Sequence, residues 1–479
     1  MQSETVDYSR KWLVMTAVGL ATFLETFDSS AVNLALPTLV KEFGVDFALT
    51  QWIVLAFVLT QATLMLVMGR LGDTYGKKPI FLIGTVVAAI GALLCGFAPT
   101  IEWLIALRVI QAVGVAMAMA LSFGIVAEAF PPSERGMALG TIGGIVSLGI
   151  VIGPIIGGVL LDAFSWHALF FINVPFAILS IPIGLRNIPH TRQGSGGPFD
   201  YLGSVVFFIS LLAFLLATTF GQRIGFSNPA ILLLLGLALG ALLLFVFVEG
   251  RVAAPVVDLK LFTHLGFSIN MIQRYLSFII FISASLLLPF YLQNMLGYPP
   301  RLVGFMLTAI PIAFGSIAPI AGTLSDRFGS RPVTVVGLLL LFLGSLSLST
   351  LGATTSTVGY LVRVLPFGLG MGIFQSPNNS VIMSLVPRER FGMASSLLSV
   401  VRTLGRSSGI AILGALWTGR VLVYAGSGYT GDATAAPIPA QVAGLQESFL
   451  VVAAFALLAL GLTGWEWLRQ RRLTALPAA

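Results

Sequence analysis

Residues 69–79 read GRLGDTYGKKP, and residues 322–332 read GTLSDRFGSRP. They align without a gap at Gly69 and Gly322, Leu71 and Leu324, Asp73 and Asp326, Gly76 and Gly329, and Pro79 and Pro332. Lys78 faces Arg331 and Tyr75 faces Phe328. Five identities in eleven positions mark a duplicated unit. The first copy holds Arg70, Asp73, Lys77 and Lys78, in a chain of which only 9% is charged. LAFVLTQATLMLVM precedes it and IFLIGTVVAAIGALLCGF follows it. A charged break between two long apolar runs reads as a turn between membrane helices, at the face where they meet water.

Composition extends that reading to the whole chain. Of 479 residues, 57% are apolar, with a mean hydropathy of +0.97. Soluble domains are about 45–50% apolar and about 25% charged. The apolar runs are continuous, as membrane helices of about 20 residues require, and lack the alternation of a membrane β-barrel. Cys95 is the single cysteine, which excludes an intrachain disulfide and a cysteine metal cluster. His167, His190 and His264 are scattered without metal-ligand spacing, so no metal or cofactor is expected. MQSETVDYSRKW has no cleavage site behind a short apolar core, so the first run reads as a span and not as a signal peptide.

Fourteen apolar runs are expected, the first near 12–37 and the last near 447–468. An even number places both termini on one side. Seventeen of the 26 Lys and Arg then fall on the side of the termini, against four (Lys41, Arg223, Arg301, Arg420) in the opposite loops. This asymmetry makes the termini cytoplasmic and the expected location the cell (inner) membrane. The pI near 9.7 is then mainly a topology signal and calls for no nucleic-acid partner. The two copies of the charged segment lie eight runs apart. A duplicated six-helix unit with two added helices gives that offset. The expected division is a six-helix bundle over 1–189, a linker with two inserted helices over 190–265, and a second six-helix bundle over 266–479. HTRQGSGGPFD, residues 190–200, reads as the linker.

With those elements in place the chain resembles a major facilitator superfamily transporter, and more narrowly the fourteen-span drug:proton antiporters of the EmrB/QacA type. Gly69, Asp73, Gly76 and Lys77 match the superfamily's loop between spans 2 and 3, while Thr74 departs from a common Arg. DSSAVNLALP (28–37) resembles the span-1 signature through Asp28, Asn33 and Pro37, with Ala31 departing. RVIQAVG (108–114) resembles the span-4 motif through Arg108 and Gln111, with Ala112 in place of a usual Gly. GIVIGPIIGG (149–158) resembles the antiporter motif of span 5. WHALFFINVP, PVVDLKLF and YLQNMLGYPP fit the same branch. The resemblance implies export of lipophilic, often cationic, compounds in exchange for protons, with two bundles rocking about a midplane cavity.

The residues themselves suggest where the chemistry sits. Glu25 and Asp28 lie inside span 1, on one helix face. A carboxylate at that depth costs about 2.5–3.5 kcal/mol on insertion scales and usually marks an ion path or proton relay. The alternative is a polar pair that only fastens helices. By helix rise, Asp28 lies about 13 Å and Arg108 about 9 Å below the outer side, so the two are expected to meet. Gly149, Gly153 and Gly157 form an i, i+4, i+8 line with Pro154 beside it, expected to make a hinge or a tight seal between the bundles. Asp73, Asp326, Arg327 and Glu128 are expected at the cytoplasmic face, as paired charges that latch one conformation. Gln111 is assigned to the substrate cavity. Gln375, Asn378 and Asn379 either line a substrate path or satisfy the backbone opened by Pro377. Arg402 and Arg406 share a face near the cytoplasmic end of span 13, where snorkelling is expected.

No GxxxxGK[ST] motif accompanies a soluble domain, which argues against ATP-driven pumping, and no hydrolase constellation stands out. The expected function is a proton-coupled exporter of small lipophilic compounds, in part cationic. Its partners are protons, membrane lipids and an unidentified adaptor, if any. An exporter of lipids or metabolites with the same fold, and a membrane receptor or channel, stay open as alternatives.

Overall fold

Long apolar runs leave the backbone no hydrogen-bond partner but itself, so they become helices. The computed structural model describes residues 8–131, 134–189, 201–225, 227–251, 259–386, 391–426, 428–429 and 431–474. No strand occurs among the described residues. The long helices are α1 (Lys11–Phe43), α2 (Trp52–Tyr75), α3 (Lys77–Cys95), α4 (Ile101–Ala129), α5 (Arg135–Ala163) and α6 (Asn173–Asn187). Next come α7 (Tyr201–Ile224) and α8 (Pro229–Glu249), then α9 (Leu265–Phe290), α10 (Ala309–Phe328), α11 (Ser330–Leu348), α12 (Thr357–Ser384), α13 (Phe391–Ala425) and α14 (Ile438–Thr474). Short helices Phe47–Thr50, Ala168–Phe171 and Pro300–Leu307 lead into α2, α6 and α10.

Twelve helical segments among the described residues are long and apolar enough to cross a membrane, against the fourteen runs expected. The two runs outside that set are α1 and α7. Lys11, Glu25, Asp28 and Lys41 make α1 more polar than its neighbours. In α7 the apolar stretch counted is Leu202–Phe214.

Packing repeats with an offset of eight helices. In the first set α1 packs on α5 and α6, α2 on α4, and α3 on α4 and α6. In the second set α9 packs on α13 and α14, α10 on α12, and α11 on α12 and α14. The duplication is thus visible in three dimensions as well as in sequence. Helices α7 and α8 pair with each other, and α7 also touches α2 and α13. Along α8, Leu233 is 75% and Leu243 61% exposed, an apolar exterior that lipid alone would cover favourably.

The charged segment that opened the sequence reading is not an extended loop. Helix α2 runs through Arg70 to Tyr75, and α3 starts at Lys77, so Gly76 alone makes the turn. Gly76 has φ 96° and ψ 140°, and its counterpart Gly329 has φ 85° and ψ 152°. An L side chain rarely tolerates that region, so glycine recurs at both matched turns.

The two sets meet firmly at the end of the bundle that carries residues 34–51. Gln293 donates to the Leu34 carbonyl at 2.9 Å, and the Phe47 amide donates to Asp432 at 3.3 Å. Phe47 packs edge-on against Phe290 (4.7 Å) and Trp417 (5.0 Å). A Cβ at Gly304 would stand 2.1 Å from the Pro154 carbonyl oxygen, and one at Gly158 would stand 2.5 Å from that of Pro300. Backbone therefore lies directly on backbone where α5 meets Pro300–Leu307.

Candidate functional site

Helix α1 brings its two acids into the interior of the first set. Asp28 is 2% exposed, Glu25 8% and Arg108 1%. A buried charge is tolerable only when paired and hydrogen-bonded, and Asp28 is both. Arg108 Nη1 on α4 lies 2.5 Å from Asp28 Oδ2. One turn on, Gln111 Nε2 donates to Asp28 Oδ1 at 3.1 Å, and Asn173 of α6 donates to the same oxygen at 3.4 Å. The guanidinium is held in turn. Its Nη1 also donates to Gln111 Oε1 (2.8 Å), its Nε donates to the Ile53 carbonyl (3.3 Å), and its plane lies 4.1 Å from the Phe57 ring. Donors from α4 and α6 thus converge on the α1 carboxylate, and α2 holds the arginine from behind.

Glu25 is served separately. Gln61 of α2 donates to its Oε1 at 2.9 Å. Both acids, with Gln111, Thr85 and Asn173, line one cavity of about 40 Å³. By volume that holds a water or a few.

The glycine line of α5 has a different partner from the one expected. A Cβ at Gly149 would meet Thr26 Oγ1 at 1.9 Å, one at Gly153 would meet Ser30 Cβ at 2.7 Å, and one at Gly157 would meet Ala31 Cβ at 3.0 Å. All three lie on α1, within the first set. Contact with the second set comes from Pro154 and Gly158, which point the other way round the helix. The i, i+4, i+8 spacing put three glycines on one face but did not say which helix lies there.

At the other end, Lys77 pairs with Glu128 and Lys11 with Glu134 at 2.5 Å, each joining helices of the first set. The side chains of Asp73 and Asp326 lie outside the described residues. Gly69 has only the Ala120 methyl near its open face, at 3.9 Å. Arg327 is exposed and lies 5.4 Å from the Phe328 ring.

On α12, Asn378 is fully buried and donates to Asn270 Oδ1 (3.0 Å) and to the Asn270 carbonyl (3.2 Å). It therefore fastens α12 to α9. Asn379 accepts from Arg274 of α9, and Gln375 is half-buried. Arg406 does not snorkel: its Nη2 reaches across to Ser29 Oγ of α1 at 2.7 Å. Sequence reasoning also missed Gln61, Asn173 and Arg274. Each was signalled by a strongly polar side chain inside an apolar run, but its partner lies up to 145 positions away.

Comparison with known proteins shows the family and the fold. A model described as the Major Facilitator Superfamily matches residues 18–253 and 201–410. The riboflavin transporter RibZ of Clostridioides difficile (strain 630) is 32% identical over 84% of this chain and 87% of its own. The multidrug resistance protein Stp of Mycobacterium tuberculosis (strain CDC 1551 / Oshkosh) is 32% identical over 84% of this chain and 75% of its own. Among solved structures, a bacterial homologue of the human lysosomal transporter Spinster superposes with a TM-score of 0.67 at 17% identity. That match covers 96% of this chain and 97% of the other, and it bears on the fold alone.

Proposed function

Because the chain belongs to the Major Facilitator Superfamily, we propose that it is a proton-coupled secondary transporter exporting lipophilic compounds by alternating access. The observation that carries this reading is the buried Asp28–Arg108 pair beside the cavity it shares with Glu25. Protonation of Asp28 removes the charge that holds Arg108. The freed guanidinium and its Gln111 partner then move, and the α1–α4 contact loosens. Deprotonation restores the pair and resets the helices. Glu25, held by Gln61, is the relay across the cavity.

In this reading α1 and α7 cross the membrane with the twelve other segments, giving fourteen spans with both termini cytoplasmic in the inner membrane. The division is then a bundle over 1–189, an inserted pair over 190–265 and a second bundle over 266–479. The firm contacts around residues 34–51 seal the outer end. The matched turns at Gly76 and Gly329, with Lys77 and Glu128, act at the inner end.

The relative named a multidrug resistance protein supports drug-like cargo. A second reading keeps the machinery and makes the cargo a metabolite, and the similarity to a riboflavin transporter favours it. Proteoliposomes with an imposed pH gradient and a panel of cationic, neutral and anionic lipophilic dyes test the reading. Uphill dye movement should occur in the wild type, be lost in Asp28→Asn and be impaired in Glu25→Gln. Undiminished uphill transport by Asp28→Asn would overturn the coupling role.

A further inference from the structure

The interior of the second helix set carries more positive charge than the described residues around it neutralise. Arg274 of α9, 7% exposed, spends its hydrogen bonds on neutral acceptors: the Leu398 carbonyl at 3.0 Å and Asn379. Arg406 of α13 is bonded to the Ser29 hydroxyl of α1. Arg402 lies one turn before Arg406 and is half-buried. It stands close enough to both Arg274 and Arg406 to repel each. It makes no hydrogen bond or ion pair with any described residue. None of these three guanidinia has a carboxylate of a described residue within ion-pairing distance. Asp28 is committed to Arg108. Glu25 acts on Arg406 only at longer range and is hydrogen-bonded by Gln61.

Charges at membrane depth are expensive, and proteins normally pair them. Three guanidinia against one distant acid are the opposite of that rule. Arg274 starts about 14 Å into the membrane-crossing segment that begins at Leu265, and Arg402 and Arg406 start about 3 Å and about 9 Å into the one that begins at Val400. A cleft of about 50 Å³ between the two sets touches α1 at Ser30, next to Ser29, and is lined by Asn33, Leu34, Phe281, Ser285 and Leu307 but by none of the three arginines.

We infer that this arginine cluster is an anion subsite of the transport path, and that the cargo is an amphiphile bearing a carboxylate, phosphate or sulfonate. The acid group bridges Arg402 and Arg406, with Arg274 behind. Planar, multiply donating guanidinia suit such oxyanions better than ammonium groups would. The inference rests on the transport reading for its place in the path.

Fluorescein, a dianionic aromatic dye, is the probe, with cationic ethidium as its counterpart. Equilibrium binding is read by fluorescence anisotropy on the full chain in phosphatidylcholine nanodiscs. The wild type should bind fluorescein, and Arg402→Gln should weaken it about tenfold or more while leaving ethidium unchanged. Arg402 makes no contact that holds a described residue in place, so this variant should stay monodisperse, and Arg402→Lys, which keeps the charge and loses the planar fork, should bind between the wild type and Arg402→Gln. Phosphatidylglycerol nanodiscs separate the two sources of such a cargo. Loss of fluorescein binding there identifies a lipid headgroup as the competing anion, and retention identifies a soluble organic anion.

No fluorescein binding by the wild type, or equal affinity in Arg402→Gln, overturns the inference. Binding needs no gradient. Gradient-driven ethidium export without fluorescein binding therefore sinks the subsite alone. Fluorescein binding without gradient-driven transport of any dye sinks the transport reading alone.

Discussion

Gly304→Ala tests whether the contact around residues 34–51 is a seal that must part. The added methyl would stand 2.1 Å from the Pro154 carbonyl oxygen, and 3.4 Å from the Gly158 Cα. The near atom is backbone, so no rotamer change relieves it. Overpacking of this kind costs about 1–3 kcal/mol. The cost falls only on conformers in which Pro300–Leu307 lies on α5, so it shifts the balance toward the opened outer end by about 5- to 150-fold. Spin labels at Lys41→Cys on α1 and Val423→Cys on α13 sit on exposed sites of different sets. Cys95, the only native cysteine, is fully buried and will not compete for label. The Gly304→Ala distance distribution should gain a longer component that the parent lacks. An unchanged distribution in a monodisperse Gly304→Ala protein, with normal turnover, would refute the reasoning.

Two further expectations concern stability. Arg108→Ala leaves Asp28 as an uncompensated buried charge and should cost about 3–5 kcal/mol, seen as a lowered thermal midpoint in detergent. The double change Arg108→Met with Asp28→Leu should recover most of that midpoint without recovering transport. Gly76→Ala and Gly329→Ala should each cost about 1–3 kcal/mol by forcing a side chain into a glycine-only conformation. Gly69→Ala, where a Cβ makes only an ordinary 3.9 Å contact, should leave the midpoint unchanged.

Much of the candidate site was legible because water-free depth makes polar residues conspicuous. Glu25, Asp28, Arg108 and Gln111 stand out inside apolar runs, and helix rise alone set Asp28 and Arg108 at comparable depths. The same argument could not assign Asn378. A polar residue at depth must bond to something, but whether that is cargo, backbone or a neighbouring helix depends on which helix faces it. Nor could it assign Arg406. Distance to the membrane surface suggested snorkelling, whereas the nearest acceptor was a hydroxyl on α1, 377 positions earlier. The glycine line of α5 gave its own spacing correctly and its partner wrongly for the same reason.

By itself, the sequence determined the membrane-helical class, the duplication and the two turn glycines. Those follow from hydropathy, identity of aligned residues and backbone sterics, all of which act within a few residues of chain. Helix-to-helix partners were decided only in three dimensions: α1 against the α5 glycines, Asn378 against Asn270, and Arg274 of α9 against the Leu398 carbonyl of α13. Lateral packing in a bundle is a choice among many faces of similar greasiness, and only the assembled shape selects between them.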